Sequence, residues 1–114
     1  MSDVIDRFRY SVMRTVSPAT LNSPDGGLAI AGLGMAGEMG EVVEIIKKHL
    51  AQGHEIDRDK FIKEMGDKMW YDMLALIIMD ISLEEVMEAN IKKLEERYPT
   101  GFSSERSLNR KGEE

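Results

Sequence analysis

The chain has 114 residues, a formal charge of −6 and no cysteine. That length supports one domain with a core small enough to gain from association with further copies, so a homodimer or homotetramer is expected. The missing cysteines exclude disulfides, thiolate metal sites and cysteine nucleophiles, and the acidic balance excludes a general affinity for duplex nucleic acid, though not for a free nucleotide arriving with its own cation.

From Asp3 to about Thr15, the residues Val4, Ile5, Phe8, Val12 and Met13 recur at helical spacing, so a first amphipathic helix is predicted, capped by Ser2 or Asp3. Ser17 to Gly27 holds Pro18, Pro24, Asn22, Asp25, Gly26 and Gly27, which predicts a loop. A second helix is expected from about Leu28 to Leu50, with Leu28, Ala31, Met35, Met39, Val42 and Ile46 on one stripe. Gly34, Gly37 and Gly40 lie inside it, each less favourable than Ala by about 1 kcal/mol, so close approach by another helix or a ligand is expected to offset them.

Gln52-Gly53-His54 reads as a helix stop, and Asp57 or Asp59 as the start of a third helix with Ile62, Met65, Met69, Met73, Leu76 and Ile77 on one face. Ser82 and Glu85 form a capping-box pattern for a fourth helix, which ends near Arg97 before Pro99 and Gly101. Residues 103–114 are polar and read as a tail, disordered unless a ligand or partner orders them. The most apolar stretch, Met73 to Ile81, is broken by Asp80 and too short to span a bilayer, so a soluble, cytoplasmic protein is expected, without membrane contact. The fold class is all-α with about four helices.

Two acidic doublets stand out, Glu38-x-x-Glu41 and Glu64-x-x-Asp67. Residues three apart on a helix are rotated by roughly 60° and lie one turn apart, so each doublet points two carboxylates the same way. Acids of this kind are common on solvated faces, but here two doublets flank a predicted helical hairpin beside apolar positions. Facing carboxylates repel by about 1 kcal/mol per pair in water at 4 Å unless a proton or cation intervenes. Oxygen-only ligands favour Mg²⁺, with Mn²⁺ as a substitute, over zinc. A di-iron bundle requires Glu-x-x-His motifs that this chain lacks, and its histidines, His49 and His54, sit near a predicted helix end where capping or solvation suits them better.

The segments Gly37-Glu38-Met39-Gly40-Glu41-Val42, Glu64-Met65-Gly66-Asp67-Lys68-Met69-Trp70-Tyr71 and Asn90-Ile91-Lys92-Lys93-Leu94-Glu95-Glu96-Arg97-Tyr98-Pro99, followed by Gly101-Phe102, together resemble MazG-like nucleoside triphosphate pyrophosphohydrolases. The resemblance spans about Leu28 to Phe102. It implies a four-helix MazG-like bundle over residues 1–102, its core completed by subunit association, and Mg²⁺-dependent hydrolysis of a nucleoside or deoxynucleoside triphosphate to the monophosphate and pyrophosphate. It also implies that Glu38, Glu41, Glu64 and Asp67 ligate the metal, and that Asn90, Lys93, Arg97 and Tyr98 face the phosphates. Independently, Asn90, Lys93 and Arg97 fall at i, i+3 and i+7, giving one helical stripe an amide, a point charge and a guanidinium fork. Glu38 and Glu41 are the candidate proton acceptors.

Two positions depart from the family pattern. Lys68 and Asp72 stand where apolar residues are usual, and their spacing allows an ion pair. Trp70 is expected in the core or at a subunit interface, and a base pocket is sought around Phe8, Tyr10, Arg14 and the Ser17 to Gly27 segment. The alternatives from other classes are a catalytically silent helical oligomerisation or regulatory module and a cation-binding bundle without hydrolytic activity.

Overall fold

The computed structural model describes residues 3–110 and is all-helical, with no strand among the described residues. Six helices follow in order: α1 (Val4–Thr15), α2 (Pro18–Leu21), α3 (Pro24–Gln52), α4 (Arg58–Met79), α5 (Leu83–Arg97) and α6 (Ser104–Leu108). The chain divides into two compact units, Met1–Ile81 and Ser82–Glu114. No helix among the described residues is long and apolar enough to cross a membrane.

In the first unit, Asp3 caps α1 by accepting from the Asp6 amide at 2.9 Å, while Ser2, the other candidate cap, lies outside the described residues. The segment expected to be a loop instead contains α2 and the first turn of α3. Both helices begin with proline at the first helical position, where its fixed φ is already helical and its missing N–H has no partner to lose. Composition marks such residues as breakers, yet at this position they are starters. The stop at Gly53 is as expected: it takes φ 74°, open to glycine without strain, and the His54 amide donates to the Lys48 carbonyl at 3.2 Å. His49 reinforces this end by donating from Nδ1 to the His54 carbonyl at 2.7 Å, the capping role foreseen for it.

Asp57 caps α4, and Asp80 ends it in the left-handed region at φ 55°. Helices α3 and α4 form the principal packed pair, with α1 against α4 and α2 against α3. The core consists of Val12, Val16, Ala31, Val42, Met73 and Leu74. The stripe foreseen on α3 is only partly internal: Ala31 and Val42 are buried, whereas Met39 and Ile46 are exposed, as are Leu33 and Val43 on other faces. Because α3 is apolar on more than one side, one partner helix cannot cover it.

Gly34 meets the ring of Tyr71, which occupies the place a Cβ would take. Here the cost of a mid-helix glycine is offset by close approach of the neighbouring helix, as expected. At Gly37 and Gly40 no neighbouring helix among the described residues comes within 4 Å of the corresponding positions.

The second unit is built by capping. Ser82 and Glu85 form the reciprocal capping box at the start of α5, with the Glu85 amide donating to Ser82 Oγ at 3.1 Å and the Ser82 amide donating to Glu85 Oε2 at 3.0 Å. Within the polar segment expected as a tail, Ser104–Leu108 forms α6. Ser103 caps that helix, and Arg106 donates from Nε to the Arg97 carbonyl at 2.5 Å and from Nη2 to that of Glu96 at 3.3 Å. The last residues of the expected tail, 111–114, lie outside the described residues.

Candidate metal centre

The Gly34 to Tyr71 contact fixes how the acids meet. Gly34 and Glu38 are four apart on α3, and Asp67 and Tyr71 are four apart on α4, so each pair shares a helix face. Seating the Tyr71 ring on Gly34 therefore brings the next turn of α3 toward the preceding turn of α4. Carboxylate oxygens of Glu38, Glu64 and Asp67 lie within 4.8 Å of one another, with Glu38 and Glu64 half-buried and Asp67 exposed.

Glu38 carries the electrostatic consequence. Desolvation, followed by the negative charges of Asp67, Glu64 and Glu41, pushes its carboxyl above the ordinary carboxylate range. Glu41 is thus close enough for its charge to be felt, but it is exposed and stands outside the trio. A cluster of hard oxygen donors whose repulsion is uncompensated fits a hard divalent cation, which would replace that repulsion with attraction.

An open depression of about 350 Å³ adjoins the acids, lined by Glu38, Asp67, Trp70 and Tyr71. The indole is half-buried, held edge-on to the Tyr71 ring with centroids 5.0 Å apart. Its Nε1–H donates to Thr15 Oγ1 at 2.9 Å, and that hydroxyl donates in turn to the Ser11 carbonyl at 2.7 Å. Trp70 is therefore a half-buried wall of the depression rather than a fully buried core residue. The signal was present, since positions 70 and 71 follow Asp67 at i+3 and i+4, on the face that carries the acid.

The two departures from the family pattern pair with each other, Lys68 Nζ to Asp72 Oδ2 at 2.9 Å in a partly buried setting. Asn90, Lys93, Arg97 and Tyr98 all belong to the second unit. Asn90 and Lys93 are exposed on α5, Arg97 is half-buried at its last position, and the Tyr98 ring lies 5.4 Å from that of Phe102.

Residues 31–102 match the MazG nucleotide pyrophosphohydrolase domain family. The chain belongs to this family. The gene 37 protein of Mycobacterium phage L5 is 33% identical over 79 residues, which cover 66% of this chain and 69% of that protein. No solved structure matches the chain. The MazG match contains both acidic doublets and the α5 stripe, so the acids that α3 and α4 bring together fall within the region that defines membership.

Proposed function

We propose that this MazG-family protein is a Mg²⁺-dependent hydrolase that converts a nucleoside or deoxynucleoside triphosphate to its monophosphate and pyrophosphate, with the catalytic domain in residues 1–102. The observation that carries the reading is the convergence of Glu38, Glu64 and Asp67 oxygens within 4.8 Å on two packed helices. These three, with Glu41 alongside, would hold the metal. Bound there, Mg²⁺ would offset phosphate charge and lower the pKa of an attacking water.

The chain's own groups supply the rest. Water adds across the α–β anhydride, the phosphorus–oxygen bond to the pyrophosphate breaks, and the water's proton passes to a carboxylate. Glu38, half-buried, and Glu41, exposed, are the two candidate acceptors. Asn90, Lys93 and Arg97 offer an amide, an ammonium and a guanidinium to the phosphates, with Tyr98 at the end of that stripe.

Self-association completes the proposal. No residue of α5 is buried, and Val86, Met87, Ile91 and Leu94 are each between 42% and 50% exposed, an apolar stripe that a second copy would cover in a homodimer or homotetramer.

The test is hydrolysis of a panel of ribo- and deoxynucleoside triphosphates with Mg²⁺, with pyrophosphate and orthophosphate measured separately. Wild type is expected to release pyrophosphate only with the metal, and Glu38→Gln and Glu64→Gln to lose at least about 10²-fold in rate. Full activity in both variants, or release of orthophosphate alone, would refute the assignment. An inactive, folded wild type across the panel would favour the silent module.

A further inference from the structure

We propose that the depression beside the acids seats the base of the nucleotide, with the Trp70 ring as its platform and Thr15 as the positioning residue for that ring. The choice of a nucleotide rests on the proposed hydrolase activity; the platform and its support are argued from the structure. Glu38 and Asp67 belong to the acidic trio and also line the depression of about 350 Å³, where Trp70 and Tyr71 stand beside them. A triphosphate held through a cation on those carboxylates would have its phosphates at one side of this space and its nucleoside beside two aromatic rings.

The indole is held from two sides. It meets the Tyr71 ring edge-on, with centroids 5.0 Å apart, and Tyr71 is itself seated on Gly34, so the phenol ring is a stop with little room to move. From α1, Thr15 Oγ1 accepts the indole N–H at 2.9 Å, while the same hydroxyl donates its proton to the Ser11 carbonyl at 2.7 Å and so turns its lone pairs toward Trp70. With its only donor spent on Thr15, the indole offers a ligand a π face and no hydrogen bond, a surface that suits any planar base. A tryptophan free to rotate about χ1 and χ2 would lose that freedom when a base stacked on it; the Thr15 bond removes it beforehand, which favours binding. Thr15 lies ahead of the matched segment 31–102, so this support comes from an element that the family match does not contain.

Trp70 is the single tryptophan of the chain, so its fluorescence reports on this wall directly. The measurement is titration of the full chain, with Mg²⁺, by the uncleavable α,β-imido deoxynucleoside triphosphates of adenine, guanine, cytosine and thymine and, separately, by inorganic tripolyphosphate, which has the phosphates and no base. Calorimetry gives the affinities and Trp70 emission the contact. The tightest-binding analogue should quench Trp70 strongly and tripolyphosphate should quench it little. Thr15→Val, which keeps the shape and removes the acceptor, is expected to weaken the analogue by about threefold to tenfold while tripolyphosphate binds as to wild type, and Thr15→Ser to restore the analogue. In Trp70→Phe, which keeps a ring without the N–H, adding Thr15→Val should have no further effect. Thr15 is exposed, and circular dichroism would verify that its variants fold.

Absence of analogue binding, binding that leaves Trp70 emission unchanged, equal affinity in wild type and Thr15→Val, an equal loss of tripolyphosphate in that variant, no recovery in Thr15→Ser, or a further loss in the Trp70→Phe background would overturn the assignment. In turnover, Thr15→Val should raise KM more than it lowers kcat. The outcome separates from that of the hydrolase assay. Thr15-dependent binding of the analogue by a chain that releases no pyrophosphate would uphold the platform and reject the activity, whereas Mg²⁺-dependent hydrolysis with a KM indifferent to Thr15→Val would do the reverse.

Discussion

In Met1–Ile81, six buried apolar side chains stand behind a face on which three carboxylates converge; in α5 and α6 no side chain is buried, and three arginines gather where one helix ends beside another. The two regions hold like charges together by different means. Packing of α3 on α4 forces the acids into proximity, and the strain is visible in the raised proton affinity of Glu38. In α5 and α6 the organising force is hydrogen bonding at helix ends, where a cation is already favoured by the carbonyls it meets. A charge cluster imposed by packing is expected to be rigid and costly when empty. One built from caps is expected to be cheaper and more easily loosened.

The largest effect should come from the core. Leu74 is fully buried, so Leu74→Ala is expected to cost about 2–5 kcal/mol in urea unfolding, whereas Ile91→Ala, at 50% exposure, should cost less than about 1 kcal/mol in dilute solution. Equal losses would break the comparison. A loss at Ile91 that grows with protein concentration would sharpen it, since only coverage by another copy links that residue's contribution to mass action.

Next in size is the helix contact that aligns the acids. Gly34→Ala should destabilise by about 1–3 kcal/mol because the new methyl meets the Tyr71 ring, against a helix-propensity gain of about 1 kcal/mol that works the other way. Gly37→Ala, with open space around it, retains the gain alone and should stabilise. Denaturant titration of the pair tests whether packing at this one point governs the α3–α4 register; if both variants gain stability, it does not.

The four longer helices and the acid pairing were legible because each rests on local chemistry: Ser82 with Glu85 reads as a capping box, Gly53 as a stop, and residues three apart share a face. What escaped depended on context that one sequence does not carry. Pro18 and Pro24 act as helix starters only because of where they fall in the turn. Gly34 differs from Gly37 solely in what the opposite helix places over it. Trp70 lines a depression because Thr15, fifty-five residues earlier, holds its indole N–H. Arg106 ties α6 to α5 by bonding backbone carbonyls, which no residue pattern announces.

Ser82→Ala probes the cap-built region. It removes half of a reciprocal box and should cost about 1 kcal/mol, with the loss concentrated in α5 and α6. Amide hydrogen exchange would locate it: faster exchange confined to residues after Ser82 fits the contrast, and faster exchange spread equally through α3 and α4 contradicts it.

The smallest effect is electrostatic and has a definite sign. The Glu38 carboxyl is raised in the folded chain, chiefly by desolvation and then by Asp67, Glu64 and Glu41, so between the ordinary carboxylate value and the raised one the folded state holds more protons than the unfolded. This group's contribution to stability must therefore fall as pH rises through that window, and above it the folded chain carries the full penalty. Replacing Glu38 with Gln should remove that penalty, flatten this part of the pH profile and raise metal-free stability at neutral pH by a few tenths to about 1 kcal/mol, the scale of partly solvated charge pairs. Mg²⁺ should reverse the ranking, because a cation held by the acids stabilises wild type in proportion to its binding while the variant has lost a ligand. Unfolding curves for both chains across the acid range, with chelator and with Mg²⁺, would decide it: parallel pH profiles and equal responses to the metal would mean that the convergence of Glu38, Glu64 and Asp67 imposes no electrostatic cost and holds no ion.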